Sequence, residues 1–276
     1  MHKGGFADGT LLPAPSEKPG SVFGSASAAF SIKGMPWDTL HGVRKSMNQS
    51  LKWLCFAVGL VLATAGWGQR EEKDVIRLPN PVYDGKVSVE RAIKQRRTIR
   101  RFLPKALSLA QLSQLLWSAQ GITDDSYGYR AAPSAGALYP LDVHTIAGDG
   151  GVTELEPGVY RYNPADHSLE LVRPGDRRHD VATASLAQMW IAEAPVIFVI
   201  TSEYERITPK YRERGIRYAH IEVGHVGENI FLQAEALGLG VGIVGAFHDG
   251  DVAKAIGTAE GYHPLIILPV GYKKLN

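Results

Sequence analysis

The chain has 276 residues, 45% of them hydrophobic and 21% charged, which suits one globular domain of roughly 200 residues with an appendage. Thirty Lys and Arg against 28 Asp and Glu leave a formal net charge of +2. No overall field of that size gathers nucleic acid, so any basic cluster needs a local explanation.

Residues 1–46, rich in Gly, Ser, Ala and Pro ("GSVFGSASAAFSIKG"), lack apolar periodicity and read as disordered. Met47 opens a signal-peptide pattern over 47–65. Lys52 is its charged start, Trp53 to Leu62 its apolar stretch and Ala63-Thr64-Ala65 its small-residue cleavage site. The apolar run is shorter than the ~20 residues a bilayer span needs, so a retained anchor is the lesser reading. The pattern raises the expectation that translation begins at Met47 and that the product is extracytoplasmic. Cleavage would also remove Cys55, the single cysteine, leaving neither disulfide staples nor thiolate catalysis.

A charged linker over 66–81 precedes a folded domain expected at 82–276. Ser88 is an N-cap candidate for a helix with Val89, Ala92 and Ile93 on one side, ending in the arginines of "QRRTIRRF". Ser108 and Gln111 match a capping box for a second helix whose Leu112, Leu115, Leu116 and Ala119 share a face, with Gly121 as its stop. "LDVHTIA" (141–147) reads as a strand, 158–175 as a hairpin turning at Asn163 to Asp166, and "APVIFVIT" (194–201) as a strand buried on both faces. A helix from Pro209 to Leu237 follows, with Ile216, Ala219, Val223, Val226, Ile230 and Ala234 on its inner stripe. A Gly-rich strand (241–247), a short helix capped by Asp249 or Asp251 and the strand "PLIILPVGY" complete an α+β order.

Three motifs tempt other readings. "GVGIVG" (240–245) matches G-x-G-x-x-G but follows a helix and lies in a strand, the reverse of the dinucleotide-binding context. Glycines inside a strand point instead to a flat group close to the backbone. "AAPSAG" resembles a serine-hydrolase elbow around Ser134, without the first glycine and without a located base. Glu222 and His225 form one E-x-x-H where a di-iron site needs two, so no metal is expected. The arginine cluster could be solvated charge at a helix C-terminus. Guanidinium forks together with the Thr98 hydroxyl also suit a dianionic phosphate monoester.

Taken in order, "RRTIRRF", "RAAPSAGALYPL", "PKYRERGIRYAHIEVGH", "LQAEALGLG" with "IVGAF", and "LPVGY" resemble the FMN-dependent nitroreductase superfamily, within it the SagB-type azoline-oxidising dehydrogenases. The resemblance covers 82–276. It implies a three-layer α/β/α sandwich with a mostly antiparallel central sheet, a domain-swapped homodimer and an FMN cofactor. By the same resemblance Arg96, Arg97 and Thr98 would hold the FMN phosphate, and Arg100 would stabilise charge at the flavin N1/O2 edge. Arg130, Pro133, Ser134, Ala135 and Gly136 would cover the flavin from the partner subunit, although Ala137 and Leu138 stand where many relatives have asparagine. Val244 and Gly245 would turn backbone amides to flavin N5, and Lys273 or Lys274 would complete the phosphate site. Lys210 and Tyr211 match a catalytic Lys-Tyr pair of the branch, since a cation beside a phenol makes a better base.

The substrate would be a small molecule or a peptide. NAD(P)H is the donor the family implies, but an exported protein would be deprived of it, so an extracytoplasmic protein with another electron partner is favoured. The competing expectations are a flavin-binding partner protein without turnover and, behind it, a serine hydrolase.

Overall fold

The computed structural model describes residues 75–274. The expected leader (47–65) and the segment 1–46 lie outside the described residues. Among the described residues no helix is long and apolar enough to cross a membrane.

Seven antiparallel strands form the central sheet: β1 (Val75–Arg77), β4 (Leu141–Ala147), β5 (Gly158–Asn163), β6 (Ser168–Pro174), β7 (Val196–Glu203), β8 (Leu239–Val241) and β9 (Tyr262–Tyr272). Their spatial order is β1-β6-β5-β4-β7-β9-β8, and β2 (Ile122–Asp124) pairs with β3 (Tyr129–Arg130) as a separate ribbon. β1 pairs with β6 through Ile76 and Leu169, so the sheet begins seven residues before position 82 and claims the end of the expected linker. β7 is bonded to β4 and β9 on its two sides, and Val196 to Ile200 are fully buried, as the unbroken apolar run predicts.

Helices cover both faces. On one lie α1 (Val89–Gln95), α2 (Leu109–Gln120) and α5 (Glu213–Ala236); on the other lie α3 (Arg178–Ala184) and α6 (Asp249–Ile256). The α+β, three-layer expectation is met. The α2 capping box forms, with Ser108 Oγ accepting from Gln111 N–H and Gln111 Oε1 accepting from Ser108 N–H. Leu112, Leu115, Leu116 and Ala119 are all buried.

Three elements depart from expectation. The long helix breaks into a one-turn α4 (Thr208–Tyr211) and α5, with Arg212 at φ 53° between them. Ile216 and, on α1, Val89 and Ile93 are exposed, so apolar spacing there marks an uncovered face and not the core. The strand expected over 241–247 stops at Val241; past it the Gly242 N–H still donates to Pro269 O at 2.8 Å and Val244 bridges Ile267. A Cβ on Gly242 would come within 2.7 Å of the Trp190 ring and 2.8 Å of the Ile99 carbonyl oxygen. The flat group pressed on this glycine is therefore the protein's own indole.

Leu116→Ala would remove a fully buried side chain from the α2 layer of the core. Urea unfolding should register a loss of about 2–5 kcal/mol.

Candidate functional site

Two groups of sequence-selected residues gather at opposite ends of α5. At its C-terminal half, Arg96 lies over the Phe231 ring (5.2 Å to the centroid) and pairs with Glu228 at 3.6 Å. Thr98 bridges Val241, and the Arg100 guanidinium sits 5.9 Å from the Trp190 ring. Arg97 turns back, donating from Nη1 to the Lys94 and Arg96 carbonyls at 2.9 and 2.8 Å, and so serves the C-terminus of α1. Lys273 Nζ donates to Glu235 Oε2 at 2.6 Å, tying the last strand to α5. Lys274 joins Arg101 through the backbone.

Val244 and Gly245 divide their duties. The Val244 N–H donates to Ile267 O at 2.9 Å and is spent on the sheet. Gly245 is exposed, and no atom lies within 4 Å of where its Cβ would be. The Val244 amide is thus committed to the sheet, while the Gly245 N–H has no backbone acceptor among the described residues.

The second group lies at the N-terminal end of α5. Ser134 Oγ accepts from Tyr139 N–H, and the turn over Ala135–Ala137 includes Gly136 at φ 65°. Ala137 and Tyr139 also adopt positive φ (53° and 46°) without being glycine. Strain of this kind costs about 1–3 kcal/mol per residue and concentrates at functional loops. A Cβ on Gly136 would come within 2.7 Å of Tyr211 Oη and 2.8 Å of Lys210 Nζ. The Pro133 to Gly136 loop and the Lys-Tyr pair are therefore one unit within one chain. Lys210 Nζ stands 5.4 Å from the Tyr211 ring centroid, and that ring meets Tyr218 edge-on. Tyr218 and Phe231 are 13 residues apart on α5, about 20 Å of helix.

Behind the loop lies a carboxylate that the sequence reading set aside. Glu222 is 2% exposed and accepts from Gln120 Nε2 at 3.4 Å, while its Oε2 has no hydrogen-bond partner. Burial raises its pKa, against the pull of Ser134, Gln120 and the Arg130 charge. Arg130 donates to Gln120 Oε1, stacks 4.4 Å from the Tyr139 ring, and has its own pKa lowered by burial. The signal for Glu222 was present: it falls three residues after Ala219, on the buried stripe, where a charged residue is out of place. His225 is exposed, and no metal-binding cluster of His, Cys, Asp and Glu occurs among the described residues. Among the described residues Ser134 makes no hydrogen bond to a histidine, the base that a serine hydrolase needs; its Oγ accepts from the Tyr139 N–H.

Residues 93–272 match the Nitroreductase family. The chain belongs to that family. It is 41% identical over 187 residues to a protein of Methanocaldococcus jannaschii named as a nitroreductase, covering 68% of this chain and 92% of that one. The crystal structure of a protein from Ralstonia eutropha JMP134, also named as a nitroreductase, superposes with a TM-score of 0.65 at 26% identity, over 76% of this chain and 93% of that one. A chain of the Escherichia coli microcin synthetase McbBCD complex, solved with truncated pro-MccB17 bound, superposes with a TM-score of 0.56 at 26% identity, over 77% and 82%. That likeness is consistent with the azoline-oxidising branch. As a nitroreductase-family protein the chain is an oxidoreductase by kinship.

Folding raises the Glu222 pKa, so its contribution to stability is full below the ordinary glutamate value and is lost as pH rises through the folded one. Glu222→Gln should gain Tm relative to the parent as pH goes from about 4 to about 7 in a thermal-shift series. A constant difference would mean that the Arg130 charge fully offsets burial.

Proposed function

We propose that the protein is an FMN-dependent oxidoreductase that acts as a homodimer and exchanges a hydride with a small organic or peptide substrate. The observation that carries this reading is the split between the two groups along α5. Residues about 20 Å apart on one helix do not meet on one ring system, whereas a second copy packed antiparallel on α5 would bring one end against the other. The exposed faces support such pairing: Ile216 and Ile221 on α5, Val89 and Ile93 on α1, and Val82 and Tyr83 before it.

The donor set suits FMN. Arg96, with Thr98 beside it, offers a guanidinium fork and a hydroxyl for the phosphate, and Gly245 offers an open amide for the ring. Arg100 would lie next to the ring edge where negative charge collects. Arg97 and Lys273 are held by their present partners at 2.6–2.9 Å, whereas Arg96 has the longer 3.6 Å contact with Glu228 to give up, so Arg96 is the central cation. When bound, FMN supplies two-electron acceptance. Tyr211, with Lys210 beside it, would be placed to move the substrate proton, and the strained Pro133 to Gly136 loop fixes both. The half-buried Arg130 and the buried Glu222 hold that loop from beneath.

A peptide substrate draws on the likeness to the microcin synthetase chain, whose structure contains a bound peptide precursor. The same likeness favours a second reading, a flavin-binding component of a larger assembly that does not turn over by itself. The electron partner follows from location. If the Met47 to Ala65 segment exports the protein, that partner is not cytoplasmic NAD(P)H.

Purified protein should be yellow, with bands near about 450 and 370 nm. Arg96→Ala combined with Thr98→Ala should weaken FMN binding by at least about tenfold, read by fluorescence titration. Full retention of colour in that variant would overturn the phosphate assignment. Tyr211→Phe should keep its flavin and lose about 10²–10⁴ in kcat, the scale of general acid-base catalysis, which also separates an enzyme from a silent partner. Ile221→Glu, at a position 51% exposed, should sediment as a monomer and lose flavin. A monomer with undiminished turnover would refute the shared site.

A further inference from the structure

A second cavity lies on the opposite sheet face, the one covered by α3 and α6, and none of the residues assigned above lines it. It measures about 320 Å³ and is bounded by His144, Arg161, Tyr262 and Thr258, with Val172 and the Tyr262 ring as its apolar wall. That volume is at the lower end of small-molecule sites. His144 and Val199 face each other across β4 and β7, Val199 and Ile267 across β7 and β9, and Ile267 bridges Val244. Three strand spacings, about 14 Å, thus separate His144 from the position expected to face the flavin.

His144 is the unusual member. It is 3% exposed, its Nε2 bonds Thr201 Oγ1 at 3.2 Å, and its Nδ1 has no partner. A buried polar atom left unpaired forfeits its hydration with nothing in return, and most such atoms in native folds are paired. Burial pushes the imidazole pKa down to about 4, so the ring is neutral near pH 7 and offers one hydrogen bond without charge.

The charges around it are already matched. Arg161 Nη2 donates to Glu170 Oε2 at 2.6 Å on the neighbouring strand. Arg206 is bidentate to Asp142 and also donates to the Tyr262 hydroxyl at 3.2 Å. The carbonyls of Lys254 and Ala255, at the end of α6, accept from Arg173. An added cation or anion would find no unmatched opposite charge, while desolvation would oppose it.

We infer that this cavity binds a small uncharged molecule carrying an amide or similar hydrogen-bonding head, which pairs with His144 Nδ1 and lays its apolar body against Val172 and the Tyr262 ring. The site is separate from the proposed flavin site and does not depend on that reading. Both tautomers of His144 are served by an amide, which presents a donor and an acceptor together.

The test uses three compounds of one shape and three charges, benzamide, benzoate and benzamidine, titrated into the full-length protein as isolated, labelled with 15N. Benzamide should shift the His144 ring nitrogens and the Thr258 amide saturably, and the two charged compounds should bind at least about tenfold more weakly. Ala259→Phe, at an exposed position on the cavity wall, should abolish the shifts without affecting the fold. His144→Phe should do the same by removing the partner atom. The inference fails if benzamide gives no saturable shift, which would leave an ordered water as the partner of Nδ1. It also fails if either charged compound binds as well, or if the shifts survive Ala259→Phe. Flavin content reads independently of all these outcomes.

Discussion

The burial of one helical stripe governs this structure. Ala219, Val223, Val226, Ile230 and Ala234 press α5 onto the sheet and hold it straight for 24 residues. At about 25 cal/mol for each square ångström of apolar surface removed from water, the valines and the isoleucine of that stripe contribute about 1.5–3 kcal/mol each when fully buried, and the two alanines less. A rigid rod of that length fixes the distance between the arginine end and the lysine-tyrosine end. Loops could not do this, because their ends wander.

Much of the fold was legible because its signals are local. The capping box at Ser108 and Gln111, the unbroken apolar run of β7 and the hairpin of β5 and β6 each follow from short-range chemistry, and each is present. What escaped was set by contacts remote in sequence. Next to the break at Arg212, a Cβ on Gly215 would come within 3.2 Å of Ile207, a close approach that no periodicity encodes. The apolar residues of α1 have helical spacing, but spacing does not say what covers them.

The candidate site was legible in composition and less so in geometry. Four arginines in "QRRTIRRF" read alike in the sequence, yet Arg97 caps its own helix while Arg96 is steered by Phe231 and Glu228. Val244 and Gly245 are neighbours with opposite fates, because the sheet claims the amide of the first. Glu222 was hidden by its pairing with His225 in a metal-like spacing. The fold turns the carboxylate inward and the histidine outward, as the place of Glu222 on the apolar stripe signals.

Gly242 has a bearing on redesign. The indole of Trp190 and the carbonyl of Ile99 leave no room for even a methyl group there, and Arg100 shares the same indole. A library that diversifies the segment from 242 to 246 should therefore leave its first position alone and spend its variation on Ile243 and Ala246, whose side chains face solvent. Selectivity would then evolve at the rim, with the floor on which the guanidinium rests kept intact.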